Sequence, residues 1–249
     1  MGKLLKFEYR RLFQMASFYI FIGLIVVVNF MSILSQANGD IDSTIERADI
    51  FRSVFQCTSI VLIFAIFIPI YVCRNFSDGT IKNICAKGYD CVRLFFAQFI
   101  VVVTVSLAFC IVAVLTNLLF GAIFIHKTGD MQNAVSSVAL QLVVLIAYTC
   151  VFFGISSAIA KTGGTIAVNI VFYVMGGLVF MLIDTILYNY IKDTSMKDFA
   201  VSDYWIGNVF SECFYTVNGN VTFMTIVISI VYSVIFLLLG YFVARKREL

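Results

Sequence analysis

Long uncharged runs alternate with short charged segments along this chain. Six of the runs are long enough to cross the hydrocarbon core of a membrane as an α-helix, which takes roughly 20 residues. The pattern predicts membrane-spanning helices at 17–35, 54–73, 94–125, 133–160, 164–187 and 221–244. Because these spans use most of the chain, we expect residues 1–249 to form a single all-α transmembrane domain.

The composition supports the same class of protein. Hydrophobic residues make up 61% of the chain and charged residues 12%, whereas soluble domains contain about 25% charged residues. The first apolar run is too long for the core of a cleaved signal peptide, so we predict that it is a retained span. The net charge of +3 gives no indication of nucleic-acid binding.

Lys and Arg residues are concentrated in alternate segments between the predicted spans. If the N-terminus is cytoplasmic, the segments on that side are 1–15, 74–93, 161 and 245–249. They hold twelve of the 17 Lys and Arg residues but only four of the 14 acids. Cytoplasmic loops carry an excess of Lys and Arg, so both termini are predicted to be cytoplasmic.

The first 15 residues predict a helix that lies on the inner surface of the membrane. One helical face is apolar and carries Leu5, Tyr9, Leu12 and Ala16. Another face carries Lys6 and Arg10, so the helix is amphipathic. The alternative is an ordinary basic flank that sets the topology of the first span.

Segment 74–93, between the second and third predicted spans, is rich in charge and predicts a short amphipathic helix in water or at the interface. Ile81, Ile84 and Cys85 have helical spacing. Ser77 and Asp78 precede them as possible caps, and Gly88 follows as a stop. Such a helix could bind a partner protein, or the segment could simply join two spans.

The residues of this segment resemble the cytoplasmic loop of permeases of the type-2 class of ABC exporters. Members commonly carry an acidic residue, Phe-Ser, a variable residue, Gly-Thr, a basic residue and Asn, with a Gly further on. The matching residues are Phe76, Ser77, Gly79, Thr80, Lys82, Asn83 and Gly88. The departures are Asn75 in place of a carboxylate, Asp90-Cys91 in place of Ser-Arg, and Gln98 in place of Lys. The start of the chain, 6–11, also resembles the start of these permeases.

The resemblance implies that 74–93 is a coupling helix that docks on a separate ATP-hydrolysing subunit, together with the N-terminal helix. The implied coupling residues are Phe76, Ser77, Asp78, Gly79, Thr80, Lys82, Asn83, Lys87, Gly88, Lys6 and Arg10. ATP and Mg would bind the partner, because the chain has no phosphate-binding Gly-x-x-x-x-Gly-Lys-Ser/Thr motif. We therefore expect a non-enzymatic subunit that pairs with two ATPase copies and with a second permease, identical or related, in a bacterial plasma membrane.

Polar and small residues inside the predicted spans are candidates for a translocation path. They are Asn29, Pro69, Asn169, Gly176 and Gly177. A proline close to the coupling segment could kink its span, and paired glycines could let a helix flex. Each feature is equally typical of close helix packing.

The segment between the fifth and sixth predicted spans is rich in aromatic residues. Tyr204, Trp205 and Phe210 belong at the level of the lipid headgroups, where amphipathic rings collect. The family resemblance implies re-entrant or interfacial helices here. An aromatic belt with no role in transport is the alternative.

The seven cysteines and single histidine show no metal-binding spacing. A disulfide between Cys57 and Cys213 is possible but not required.

The near absence of charge from the predicted spans bears on the cargo. A path lined in this way cannot replace the water around an ion or a sugar. It suits amphipathic or antimicrobial peptides, and permeases of this short form resemble exporters that confer immunity to such peptides. Export of lipids or hydrophobic drugs is the alternative. In a different class, the chain would be a channel or receptor without an ATPase.

Overall fold

A computed structural model describes residues 2–39, 46–57, 59–77, 91–125, 127–190, 200–215 and 219–246. Within these ranges the regular structure is entirely helical, and no strand occurs there. The prediction of an all-α protein is thereby confirmed.

The described helices follow one another along the chain as α1 (Gly2–Gln14), α2 (Ala16–Gly39), α3 (Arg47–Arg52), α4 (Val54–Cys57), α5 (Ile60–Ser77), α6 (Cys91–Phe124), α7 (Met131–Ile159), α8 (Thr162–Tyr190), α9 (Ile206–Tyr215) and α10 (Gly219–Lys246). A short 3-10 helix, Val201–Tyr204, precedes α9.

Five of these helices are long and apolar enough to cross a membrane, at Ala16–Gln36, Val92–Phe124, Met131–Ile159, Thr162–Leu187 and Val221–Val243. They confirm a multi-pass membrane protein. The apolar part of α5, Ile60–Asn75, is shorter. At 1.5 Å per residue it is about 24 Å long, less than the roughly 30 Å of a hydrocarbon core. The count of six spans therefore stays a prediction.

The predicted second span, 54–73, is not one continuous helix. The short helix α4 ends at Cys57, and Ser59 has a φ of +49°, in the left-handed region. A left-handed residue interrupts the hydrogen-bonding pattern of a right-handed helix. Helix α5 therefore begins only at Ile60 and continues past the predicted end to Ser77.

Part of the segment between the first two predicted spans is helical. Helix α3 packs between α6 and α7 and buries Ala48, Ile50 and Phe51. The Arg47 guanidinium donates hydrogen bonds to the carbonyls of Ala122 and Ile125 at the end of α6. A cation at a helix C-terminus is favourable because the last carbonyls have no partner within the helix.

Helix α7 lies at the centre of the bundle. In its most apolar stretch 72% of the residues are buried, against 6% in α8. Helix α7 packs most extensively against α10, and also contacts α3, α5, α6, α8 and α9. Gly154 makes this approach possible, because a Cβ there would lie 2.4 Å from the Phe236 carbonyl oxygen. Small residues at helix contacts are a common packing device in membranes.

The bundle has two ends, which we name the α1 end and the α9 end. The α1 end contains α1, the last turn of α5, the first turns of α6 and the last turns of α10. There Leu4 packs with Leu94 and Ala97, and Phe96 lies near Tyr241. The α9 end contains α3, α4, the 3-10 helix and α9.

Candidate functional site

The predicted coupling segment is described only at its edges. Phe76 and Ser77 end α5, and α6 begins at Cys91. The other predicted coupling residues of this segment lie outside the described residues: Asp78, Gly79, Thr80, Lys82, Asn83, Lys87 and Gly88. The structure therefore describes the helices that flank the segment, and the coupling contacts stay predictions.

Helix α1 packs beside the first turns of α6 and exposes its basic face. Lys6 and Arg10, the other two predicted coupling residues, are both exposed. The buried face differs from the predicted one: it consists of Leu4, Glu8, Leu12 and the following Met15. Leu5 and Tyr9 are only half-buried and Ala16 is exposed. The difference arises because α1 packs on α6 through Leu4.

Glu8 is the unexpected member of this buried face. Its exposed fraction is 0%. The Tyr71 hydroxyl of α5 donates a hydrogen bond to Glu8 Oε2 at 2.7 Å. The other oxygen, Oε1, is buried with no hydrogen-bond partner. One side-chain contact thus joins α1 to the helix that leads into the coupling segment.

Two further polar side chains are buried on the helices that flank the segment. Asn75 lies one turn beyond Tyr71 in α5 and is 0% exposed, and Gln98 in the early part of α6 is 4% exposed. Both amide atoms of Asn75 and the Nε2 of Gln98 have no hydrogen-bond partner. Sequence reasoning missed a role for Glu8, although it is the first acid in the chain and lies four residues from both Leu4 and Leu12.

Helix α5 also contacts the turn between α7 and α8. The Cys73 thiol lies 3.7 Å from the Ser156 carbonyl oxygen and 3.6 Å from Thr165 Oγ1. Ala160, with a φ of +57°, ends α7 in the left-handed conformation that is common after helices. The helix that precedes the coupling segment is thus in contact with α1, α7 and α8.

The two predicted path amides lie between helices of this chain. Asn29 Nδ2 donates to the Ala113 carbonyl at 3.3 Å and to Thr116 Oγ1 at 3.0 Å, which joins α2 to α6. Asn169 Nδ2 donates to the Ala65 carbonyl at 3.3 Å, which joins α8 to α5. Both side chains are buried, with exposed fractions of 1% and 0%.

The other predicted path residues are also found in packed surroundings. Pro69 is buried within α5. Gly176 lies against the Trp205 indole, and a Cβ there would be 2.1 Å from Trp205 Cζ2. At Gly177 the same ring would be 3.8 Å from a Cβ, an ordinary contact distance. Gly176 therefore provides the space that the indole occupies.

The predicted outer aromatic residues are arranged around that indole. Trp205 is 4% exposed and lies 5.0 Å from Phe180 between ring centroids. Phe210 is buried on α9, whereas Tyr204 is 37% exposed. The position of these rings relative to the lipid headgroups stays a prediction.

Backbone hydrogen bonds and acidic groups complete the α9 end. The Asp184 carboxylate accepts from the Val201 N–H at 2.6 Å and from the Ser202 N–H at 2.9 Å. Partial burial raises the pKa of the Glu212 carboxyl on α9, and the nearby charge of Asp203 raises it further. Cys213 is a free, buried thiol, and the side chain of Cys57, its possible disulfide partner, lies outside the described residues. No group of three or more metal-binding side chains occurs among the described residues.

The fold and these contacts define a multi-pass helical membrane protein. The family model described as ABC-2 family transporter protein matches residues 4–177, from α1 into α8, including the coupling segment. The chain therefore belongs to the ABC-2 transporter family, as its transmembrane permease, and this family implies an ATPase partner. No curated protein and no solved structure matches the chain.

Proposed function

We propose that this chain is the transmembrane subunit of an exporter that moves amphipathic peptides, including antimicrobial or cytolytic ones, across a bacterial plasma membrane. Two copies, or this chain and a related permease, form the path. Each copy has six spans, which are the five long apolar helices and α5, and both of its termini lie in the cytoplasm. Membership of the ABC-2 family supports the transporter class. The charge distribution supports the orientation.

ATP hydrolysis belongs to the partner in this proposal, and the permease chain is not itself an enzyme. ATP and Mg bind the ATPase, which docks on segment 74–93 and on the exposed basic face of α1. The exposure of Lys6 and Arg10 supports the second contact, because both cations are available to an acidic partner surface.

The choice of cargo rests on one observation: the asparagine side chains in the spans form hydrogen bonds within this chain, and the exposed side chains of α8 are apolar. The amides of Asn29, Asn117 and Asn169 all donate to backbone carbonyls of this chain. The exposed side chains of α8 are instead large and apolar, and include Val171, Met175, Leu178, Met181, Leu182 and Ile186. A path lined by such side chains favours cargo that already partitions into membranes, because an ion or sugar would lose its hydrogen bonds.

The test of cargo measures ATP turnover by the complex of permease and ATPase in lipid vesicles. We expect amphipathic peptides to stimulate turnover, whereas sugars and ions do not. Stimulation by lipids or hydrophobic drugs alone would favour the alternative cargo of the same apolar class. A response confined to a small hydrophilic solute would overturn the proposal.

The test of coupling uses variants of the matching motif. Gly79→Arg and Lys82→Glu should weaken co-purification with the ATPase, and Lys192→Glu, in a predicted outer segment, should not. Purified permease alone should not hydrolyse ATP. If the complex and its turnover survive replacement of residues 77–87, the coupling assignment is wrong. A chain that conducts ions or binds a ligand without any ATPase would instead be a channel or receptor.

A further inference from the structure

At the α1 end, α1 is in contact with both helices that flank the coupling segment. On α6, Leu4 packs with Leu94 and the Tyr9 hydroxyl lies 2.9 Å from Thr104 Oγ1. These contacts advance from residue 94 to 104 along α6 and from residue 4 to 9 along α1. The two helices therefore run in the same general direction without a common register.

Helix α5 contacts α1 through a side-chain hydrogen bond. The Tyr71 hydroxyl donates to Glu8 Oε2 at 2.7 Å. The buried Asn75 follows four residues later, on the same helical face and closer to the coupling segment. We call the buried pair Glu8 and Tyr71 the polar node, which joins the N-terminal helix to the helix that precedes the segment.

The polar node retains unused hydrogen-bonding capacity. Glu8 Oε1 is buried without a hydrogen-bond partner. Burying such an acceptor unpaired is costly, and a small shift of the helices, or an ordered water, would supply a donor. The Glu8 side chain is therefore held by one hydrogen bond and has room for a second.

We propose that the polar node positions α1 against α5, so that displacement of the coupling segment by the ATPase is transmitted to α1 and α2. The coupling part of this inference rests on the proposed function. An apolar contact alone would permit sliding because it is non-directional. A hydrogen bond between Tyr71 and a buried carboxylate requires a defined geometry. Glu8 and Tyr71 act as positioning residues, without contact to ATP or cargo.

The first experiment measures the docking of α1 in the isolated chain in lipid vesicles, without the ATPase. Trypsin can cleave at the exposed residues Lys3, Lys6 and Arg10 once α1 opens. We expect Tyr71→Phe to accelerate cleavage on the order of tenfold, because the carboxylate loses its partner. Glu8→Met combined with Tyr71→Phe should restore protection, because replacing both partners by apolar side chains leaves no buried polar group unpaired. The control Tyr9→Phe removes a more exposed hydroxyl contact from the same helix and should change cleavage less than twofold, as for a surface substitution.

The second experiment uses the reconstituted complex with the ATPase and an amphipathic peptide. In Tyr71→Phe, we expect assembly and basal ATP turnover to persist while peptide exported per ATP falls. Export per ATP should follow α1 protection across wild type and the three variants. Unchanged protection in Tyr71→Phe, or lost protection with unchanged export per ATP, would overturn the positioning role. If wild type shows no ATP-dependent export, the proposed function fails, while the proteolysis experiment still decides whether the node docks α1.

Discussion

Asp184 and Glu8 are two carboxylates that join helices at opposite ends of the bundle by different means. Asp184 is half-buried, and both of its oxygens accept backbone N–H groups of the 3-10 helix. Glu8 is fully buried, and one of its oxygens accepts a side-chain hydroxyl while the other has no partner. Both oxygens of Asp184 therefore have a hydrogen-bond partner, whereas only one oxygen of Glu8 has one.

The difference matters because backbone and side-chain donors respond differently to movement. The N–H groups of Val201 and Ser202 are held by the 3-10 helix, so their positions follow the fold itself. The Tyr71 hydroxyl can leave Glu8 through a small shift of α5 or a side-chain rotation. We therefore expect the α9 end to remain a fixed unit, and the α1 end to change its contacts when a partner acts on it.

The largest expected effect that sharpens this comparison is at the centre of the α9 end. Trp205→Ala should lower the free energy of unfolding by about 3–5 kcal/mol, because it empties a well-packed aromatic site. Thermal unfolding followed by far-UV circular dichroism measures the loss, and Trp205→Phe is the milder control. Trypsin cleavage within α1 should stay at the wild-type rate. Faster cleavage there would show that the two ends are not independent.

A pair of adjacent glycines gives the next largest effect. Gly176→Ala should lower the free energy of unfolding by about 1–3 kcal/mol, since the new methyl group would overlap the Trp205 ring. Gly177→Ala should be neutral or slightly stabilising, because alanine favours a helix more than glycine does. Trp205 is the only tryptophan in the chain, so its fluorescence should shift in the first variant alone. Equal effects of the two substitutions would contradict the assignment of Gly176 to the indole site.

Removing one acceptor oxygen from Asp184 should have a smaller effect. Asp184→Asn leaves one oxygen that can accept a hydrogen bond from the 3-10 helix. It should lower the free energy of unfolding by about 1 kcal/mol, the net contribution of one hydrogen bond. The matched control is Thr185→Val, whose exposed hydroxyl bonds only within α8, to the Met181 carbonyl. Hydrogen exchange of the Val201 and Ser202 amides reports the local change. A loss of several kcal/mol would mean that Asp184 also supports contacts elsewhere.

The smallest expected effect depends on pH. Because the pKa of Glu212 is raised in the folded protein, the folded state binds the proton more tightly than the unfolded state. Lowering the pH from neutral through the folded pKa should therefore stabilise the α9 end, and raising the pH should reverse the gain. Glu212→Gln should remove this part of the pH dependence of thermal stability, and Asp203→Asn should reduce it. An unchanged profile in Glu212→Gln would exclude this carboxyl as the source.

Some parts of the fold could be predicted from the sequence because they depend on local chemistry. A run of apolar residues as long as α6, α7 or α10 must form a helix in a bilayer, since backbone groups have no other partner there. The match to the ABC-2 family over residues 4–177 likewise agrees with the family that segments 74–93 and 6–11 resemble, whereas the coupling role of those residues stays a prediction. These features require no knowledge of which helices are neighbours.

The remaining features were decided by tertiary contacts between residues far apart in the chain. The burial of α3 depends on α6 and α7, which pack around it, and the break at Ser59 interrupts an apolar run that the sequence pattern alone assigns to one helix. The paired glycines were compatible with flexing or packing until Trp205 was placed against Gly176. Glu8 sits on a helix that reads as basic and amphipathic, and its burial depends on Tyr71, 63 residues further along the chain. A sequence pattern records the period of one helix, whereas the hydrogen-bond partner of a buried polar side chain comes from another helix.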